Sequence, residues 1–194
     1  MRAAASLVLT ALVGACVADF AEPRTGIKFP EKKGGATLER LGVRTKGPIK
    51  VYAVGEYSDG TYVLKMSYGV GAQKMSSALV DALKPRCSDA KSIEAFEACL
   101  MKGLPNGAPK GTKLAFSTGG GKLGVAVNDK AVGNVGSKVL ASAFSNIYSD
   151  KNAVCAMSPP SKDGADAASK SLGKPVLGAL AGAVLGYKLG TQLS

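Results

Sequence analysis

The sequence predicts an α+β domain in which a layer of helices packs on an antiparallel sheet. Strand-like runs occupy residues 36–69, apolar residues with helical spacing follow in residues 71–103, and two further short strands precede a last helix that ends at Tyr148. This order of strands, helices, strands and helix is typical of α+β domains. The length of 194 residues suits one ordinary domain, which can bury a core without a metal or a disulfide framework.

The first two strands are predicted to form a hairpin. Ile49–Tyr57 is rich in Val, Ile and Tyr, and Thr61–Ser67 resumes the strand pattern after a Ser-Asp-Gly turn. β-branched and aromatic residues favour strands, and a short polar turn that contains Gly connects antiparallel neighbours. Two later strands, Lys113–Ser117 and Lys122–Asn128, are predicted on the same grounds.

A glycine-rich segment joins the two later strands and matches the G-x-G-x-x-G spacing of dinucleotide-binding loops at Gly119, Gly121 and Gly124. A dinucleotide site requires a helix N-terminus directly after these glycines. Here the chain continues as Val-Ala-Val-Asn-Asp, which predicts a strand. We therefore interpret the glycines as a hairpin turn.

Three helices are predicted from apolar residues that recur about every three or four positions, because this spacing places them on one helix face. The first helix begins at Gly71 and ends before Pro85, and the second ends at Gly103, since Pro and Gly terminate helices. The apolar residues that carry the pattern are Met75, Leu79, Leu83, Ile93, Phe96, Leu100, Val135, Val139, Phe144 and Ile147.

The composition excludes several classes of site. The sequence contains no His, so neither a Ser-His-Asp or Cys-His nucleophile nor a His-ligated zinc or haem site can form. Its four Cys residues include no Cys-x-x-Cys pair, the usual element of a Cys₄ zinc site. We therefore expect no metal and no other cofactor, and any acid–base catalysis would have to rely on carboxylates, Lys, Tyr or water.

The chain is basic, with a formal net charge of +11. Its Lys and Arg residues are dispersed along the sequence, which is typical of a solvated surface rather than of a nucleic-acid footprint. Aromatic residues amount to 6%, too few for a platform on which single-stranded bases stack. We expect no nucleic-acid partner, and attraction to anionic lipids or fatty-acid head groups is the remaining interpretation of the charge.

Residues 1–18 are predicted to be a signal peptide. Arg2 is followed by the apolar stretch Ala3–Val13, which is too short to span a bilayer, and the next small residues, Cys-Val-Ala, predict cleavage after Ala18. Cleavage would place the chain in the secretory pathway, so we expect a secreted protein, or a plastid protein if the source is an alga with complex plastids. A buried N-terminal helix is one alternative, and a lipobox-like site that leaves Cys16 lipidated is another.

The C-terminal region is predicted to be separate from the domain. Residues 158–174 are rich in Ser, Lys, Asp, Gly and Pro, which indicates a linker, and residues 175–190 are predicted to form a helix. The apolar run Pro175–Tyr187 is short for a membrane span, which takes about 20 residues. We expect membrane association or self-association through a stripe of glycines on this helix, and a soluble helix packed on the domain or an unpacked tail is the alternative. The glycines are Gly178, Gly182, Gly186 and Gly190.

Removal of the signal peptide would leave Cys87, Cys99 and Cys155. An odd number leaves at least one thiol unpaired or bonded to another chain. One interpretation is a disulfide between Cys87 and Cys99, which bracket the second predicted helix. The other is that the cysteines are buried free thiols.

Four segments of the chain resemble the chalcone isomerase family: residues 25–30, Leu41–Gly60, Gln73–Lys84 and Gly136–Val154. The most specific likeness is Gly-Val-Arg followed by Lys-Val-Tyr-Ala-Val-Gly-Glu-Tyr, both inside Leu41–Gly60. Together the segments place a chalcone isomerase-like domain at about residues 25–157. The resemblance implies an open-faced β-sandwich, in which a large antiparallel sheet carries a layer of helices.

The resemblance also implies candidate ligand-binding residues. The cleft arginine of the family matches Arg44, and Tyr52 stands where true isomerases carry a Thr and the fatty-acid-binding branch carries a Tyr. The Tyr and Asn that face the substrate in true isomerases match Gly71 and Ala78, so both polar groups are missing here. A late hydroxyl that contacts substrate matches Ser142. The chain therefore resembles the non-catalytic, fatty-acid-binding branch.

The chemistry of these residues agrees with that implication. An Arg fork binds a carboxylate through two hydrogen bonds, and a Tyr hydroxyl adds one donor. Closure of a chalcone ring requires donors to a developing enolate, and missing donors weaken this stabilisation. We expect Arg44 and Tyr52 to face one pocket that binds a fatty acid or a similar carboxylate. A genuine isomerase, which would be an intramolecular lyase, and a structural or partner-binding relative with a filled cleft are the alternatives.

Overall fold

The computed structural model describes residues 18–161, which contain two sheets and three α-helices. The strands are β1 (Asp19–Ala21), β2 (Lys28–Pro30), β3 (Lys32–Lys33), β4 (Ala36–Lys46), β5 (Ile49–Tyr57), β6 (Thr61–Met66), β7 (Lys113–Ser117), β8 (Leu123–Val127), β9 (Lys130–Val135) and β10 (Met157–Ser158). The helices are α1 (Ala72–Leu83), α2 (Ala90–Gly103) and α3 (Lys138–Ser149).

The main sheet is antiparallel, with the strand order β10-β4-β5-β6-β7-β8-β9, and β3 also pairs with β4. β1 and β2 form a separate two-stranded ribbon. α2 packs on β8 and β9, α3 packs on β8, and α1 packs on the other two helices. This arrangement confirms the predicted α+β class, an antiparallel sheet with a layer of helices.

Side chains that alternate along the strands enter two apolar cores, one on each face of the sheet. On the helix side, Val54 and Phe144 are fully buried. On the opposite side, Val43 of β4 is buried together with Phe29 of the ribbon. Complete burial of a side chain such as Phe contributes about 1.5–3 kcal/mol. A Cβ at Gly55 would come within 2.8 Å of the Phe29 ring, so the close approach of the ribbon requires glycine there.

The predicted hairpin and the first two helices are confirmed, because local signals mark their ends. α1 ends at Leu83, just before Pro85. α2 begins after Asp89, whose carboxylate accepts a hydrogen bond of 3.1 Å from the N–H of Ser92. Such a cap satisfies a backbone donor that the first helical turn leaves unpaired.

The prediction that Val135 belongs to the third helix is wrong, because Val135 is the last residue of β9. Asn128 and Asp129 have φ values of 49° and 65°, and two residues with positive φ form the turn that joins antiparallel strands, here β8 and β9. α3 begins after Ser137, whose Oγ accepts a hydrogen bond of 3.2 Å from the N–H of Leu140.

The folded unit is slightly longer than the predicted domain of residues 25–157. β1 precedes that range and pairs with β2, and Ser158, predicted to begin the linker, pairs with β4. The signal peptide up to residue 17, the linker from residue 162 and the glycine-containing helix of residues 175–190 lie outside the described residues. Within the part of the chain that is described, no helix is long and apolar enough to cross a membrane.

The disulfide between Cys87 and Cys99 is not formed. Both thiols are free, as is that of Cys155. Cys87 precedes α2, whereas Cys99 lies far along this helix beside Gly133, where a Cβ would come within 2.9 Å of the Cys99 Sγ. A helix rises about 1.5 Å per residue, so Cys99 lies about 13 Å along α2 from its first residue, whereas Cys87 lies before that end.

Candidate functional site

Arg44 on β4 and Tyr52 on β5 lie directly opposite each other in the antiparallel ladder. Opposed residues project from the same face of a sheet. The neighbouring pair, Val43 and Ala53, belongs to the core on the far side, so Arg44 and Tyr52 project toward the helices. The structure therefore brings together the two residues that the resemblance assigned to a carboxylate.

Tyr52 is buried in the core on the helix side. Its hydroxyl lies 3.2 Å from the hydroxyl of Tyr148 on α3. Burial raises the pKa of Tyr52 to about 12, and burial also raises the pKa of Tyr148 well above its usual value. Both phenols are therefore protonated at neutral pH. Since only one of the two hydroxyls donates to the other, the second proton is available to a further acceptor.

The side chain of Arg44 is exposed at the rim of this cluster. Its Nη1 donates a hydrogen bond of 2.7 Å to the backbone carbonyl of Val154, a residue between α3 and β10. Within residues 18–161 no carboxylate forms an ion pair with Arg44. A guanidinium without a carboxylate partner, placed beside phenol donors, is chemically suited to bind an anion with two oxygen acceptors.

A second polar cluster, absent from the predicted site residues, lies on the same face of the sheet. The carboxylate of Glu56 accepts hydrogen bonds of 2.5 Å from the Arg40 Nε and 2.9 Å from the Tyr62 hydroxyl. Arg40 and Glu56 are opposed on β4 and β5, as Arg44 and Tyr52 are. The alternation of side chains along a strand could have predicted this cluster from the sequence. It places Arg40 on the same face as Arg44, and Glu56 on the same face as Tyr52.

The two clusters form one continuous row, which consists of Arg40, Glu56, Tyr62, Tyr148, Tyr52 and Arg44. The hydrogen bond with Glu56 raises the pKa of Arg40, and burial raises the pKa of Tyr62 to about 12. The Tyr62 ring stacks on that of Tyr148, with centroids 5.3 Å apart and an angle of 22° between the planes. Two stacked tyrosines therefore connect the carboxylate already held by Arg40 with the guanidinium at the other end of the row.

Ser142, the third residue that the resemblance assigned to ligand contact, does not join this row. It is exposed on α3, whereas its neighbours in sequence are buried. Successive residues of a helix are about 100° apart, so the residue after an inward-facing one points away from the sheet. Gly71 and Ala78 are also exposed.

Two surface cavities lie away from the row. One of about 170 Å³ is lined by Lys33, Gly34, Tyr57, Asp59 and Thr61. The other, of about 270 Å³, lies across β7, β8 and β9. Neither is lined by Arg44 or Tyr52, and core side chains such as Met66 fill the interior behind Tyr52. The expected pocket at Arg44 and Tyr52 is therefore neither of these two.

The curled antiparallel sheet with helices on one face is the chalcone isomerase-like fold, as the sequence predicted. The crystal structure of the Arabidopsis thaliana fatty-acid binding protein AtFAP1 is similar to this chain, with a TM-score of 0.64 and 18% sequence identity. The match covers 77% of this chain and 95% of the Arabidopsis chain. This likeness shows the fold. No family model matches the sequence, and no curated protein matches it.

Proposed function

We propose that the protein binds a fatty acid or a similar carboxylate lipid on the helix side of β4 and β5, without catalysing a reaction. The observation that carries the proposal is the opposed pair of Arg44 and Tyr52, next to the hydroxyl of Tyr148. The fold shared with a protein described as fatty-acid binding supports it. Arg44 would donate to both carboxylate oxygens, and a phenol would donate a third hydrogen bond.

The molecule already holds one carboxylate with the same donor types. Glu56 accepts from the guanidinium of Arg40 and from the hydroxyl of Tyr62, on the same face of the sheet. Hydrogen bonds to charged groups contribute about 1.5–3 kcal/mol each, so a ligand carboxylate on Arg44 would gain interactions of similar strength.

The acyl chain of a lipid would enter the core on the helix side next to Tyr52. Met66 lies opposite Tyr52 on β6, and Met75 of α1 is buried in the same core. Methionine side chains are flexible and adapt to irregular space, so we expect these two to move when the chain enters. Each buried methylene contributes about 0.8 kcal/mol, which offsets the cost of rearranging the core.

A structural or partner-binding role without a ligand is the second candidate. The filled interior favours it, because Tyr52 already bonds Tyr148 and the side chains behind Tyr52 are packed. The two candidates differ in one measurable property, since only the first predicts that one lipid binds per chain.

Titration of delipidated protein with oleate, read as displacement of a fluorescent fatty acid, tests the proposal. Arg44→Gln should weaken binding at least about 10- to 150-fold, because the loss of even one charge-assisted hydrogen bond costs about 1.5–3 kcal/mol. Lys74→Gln is the matched control, since it removes the same charge from an exposed position on α1 and should leave the affinity unchanged.

The outcomes separate the two candidates. If the wild-type protein does not bind oleate, the proposal is refuted and the ligand-free role remains. If Arg44→Gln and Lys74→Gln bind oleate equally well, the carboxylate does not sit on Arg44, and the assignment of this residue is wrong.

A further inference from the structure

Residues 154–158 form a strap that runs from α3 to the outer edge of β4. Its first residue is fixed to α3, because the N–H of Val154 donates to the carbonyl of Ile147 at 2.9 Å. Its last two residues are β10, which pairs with β4. The apolar side chains of the strap are partly buried against the core on the helix side.

The strap lies close to β4 at Gly42. A Cβ at this position would lie 2.5 Å from the Sδ of Met157 and 2.7 Å from the carbonyl oxygen of Ala156. Gly42 lies between Arg40 and Arg44 on the strand. Its missing side chain therefore allows the strap to cover β4 beside the guanidinium of Arg44.

The segment before the strap is held more firmly than the strap itself. The largely buried Arg86 donates to both carboxylate oxygens of Asp150, at 2.7 and 2.9 Å, and to the carbonyl of Asn152 at 2.7 Å. Apart from the hydrogen bond that fixes Val154 to α3, the strap is held by the hydrogen bond from the exposed Arg44, by the short pairing of β10 and by its partly buried apolar side chains. It can therefore lift while Arg86 keeps the preceding segment in place.

We propose that the strap gates the carboxylate site: the Val154 carbonyl occupies Arg44 until a ligand carboxylate replaces it and residues 155–158 lift from Gly42. This inference rests on the proposed function. A charged carboxylate accepts stronger hydrogen bonds from a guanidinium than a neutral carbonyl does, so the exchange at Arg44 favours the ligand. The lost β10 pairing and strap packing oppose it. If the strap is closed in most molecules, only the open fraction can bind, and the apparent Kd equals the intrinsic Kd divided by that fraction.

Gly42→Ala opens the strap without removing a hydrogen-bond donor. The new Cβ would lie 2.7 Å from the carbonyl oxygen of Ala156. This oxygen belongs to the backbone, so the strap itself has to shift even if the Met157 side chain moves away. Gly69→Ala is the matched control, since a Cβ there meets its nearest atom at 3.7 Å, an ordinary contact. Met157→Ala is a second variant, which loosens the strap from its own side and leaves β4 unchanged.

Cys155 reports on the opening of the strap. Burial raises the pKa of its thiol to about 11, so the closed strap keeps it unreactive toward maleimides at neutral pH. Cys87 and Cys99 lie outside the strap and serve as internal references when alkylation is mapped peptide by peptide.

In the full-length chain, Gly42→Ala should raise the rate at which N-ethylmaleimide alkylates Cys155 by roughly tenfold and lower the Kd for oleate by a similar factor, as expected if most straps are closed. Met157→Ala should change both quantities in the same direction, and Gly69→Ala should change neither. Saturating oleate should also speed alkylation of Cys155 in the wild-type protein, with Cys87 unaffected.

The opposite results separate the gate from the proposed function. If oleate binds and leaves Cys155 alkylation unchanged, or if the opened variants bind oleate no more tightly, the gate is overturned and the proposed function stands. If no variant binds oleate, the proposed function fails and the gate fails with it. A Gly42→Ala protein that fails to fold would expose Cys87, Cys99 and Cys155 alike, and the Met157→Ala variant then tests the gate.

Discussion

The hydroxyl of Tyr62 provides a direct measurement of what the buried carboxylate of Glu56 contributes to folding. Tyr62→Phe removes this hydroxyl and keeps the ring, which stacks on Tyr148 and lies edge-on to Phe144 at 5.8 Å. The packing of the aromatic core is therefore preserved. What is lost is the hydrogen bond of 2.9 Å to Glu56, one of whose oxygens is left without its protein donor.

The expected cost follows from the charge on that acceptor. Loss of a hydrogen bond to a charged, buried group costs about 1.5–3 kcal/mol. In a domain of this size each kcal/mol lowers Tm by about 2–4 °C, so we expect a decrease of about 3–12 °C. Tyr57→Phe is the matched control, because the Tyr57 hydroxyl donates to the neutral carbonyl of Pro30 at 3.1 Å. Its loss should cost only about 0.5–1.5 kcal/mol.

Thermal and urea denaturation, both followed by circular dichroism, measure the Tm and the free energy of unfolding of both variants. The dependence of the free energy of unfolding on urea should be the same for the two proteins, since neither substitution changes the surface exposed on unfolding. If Tyr62→Phe is destabilised no more than Tyr57→Phe, then Glu56 gains nothing from its charged hydrogen bond. The description of the Arg40–Glu56–Tyr62 cluster as a firmly held carboxylate would then be wrong.

Two further predictions concern acid stability and catalysis. The hydrogen bond from Arg86 lowers the pKa of Asp150, so the pair stabilises the fold fully above the unfolded-state value of 3.8, and the stabilisation is lost as the pH falls through the lower folded-state pKa. In urea titrations below pH 3.8, the free energy of unfolding should therefore fall less steeply with decreasing pH in Asp150→Asn than in the wild-type protein. The same pH dependence in both proteins would contradict this. Cyclisation of a chalcone should proceed at the spontaneous rate in an absorbance assay, because Gly71 and Ala78 supply no side-chain donor; a faster, protein-dependent rate would contradict this.

Elements with marked ends were predictable from the sequence. Pro85 after α1 and the Ser-Asp-Gly turn between β5 and β6 are local signals, and the structure agrees closely with both. β9 was missed because it is an exposed to half-buried edge strand that contains Gly133, so the alternation typical of a buried strand is absent. β1, β2 and β10 are too short for any pattern, and only their partners define them.

The candidate site was predictable only in part. Arg44 and Tyr52 came from a resemblance, and the register then showed that they are neighbours. Tyr148 could not be predicted as the partner of Tyr52, because the two are 96 positions apart and meet only when α3 packs on the sheet. The prediction of a disulfide between Cys87 and Cys99 was wrong for the same reason, since separation along the chain does not reveal separation in space.

The hydrogen bond between Arg44 and Val154 has a consequence for the order of folding. It joins residues 110 positions apart, so it closes a loop that contains most of the sheet and all three helices. Closure of a long loop costs entropy that only the contacts formed inside it can offset, so this hydrogen bond forms after the enclosed elements have assembled. We therefore expect a stage of folding in which the core has assembled and the guanidinium of Arg44 has not yet bonded the Val154 carbonyl. At that stage a carboxylate would meet no competitor for the guanidinium, and a lipid could be loaded during biosynthesis.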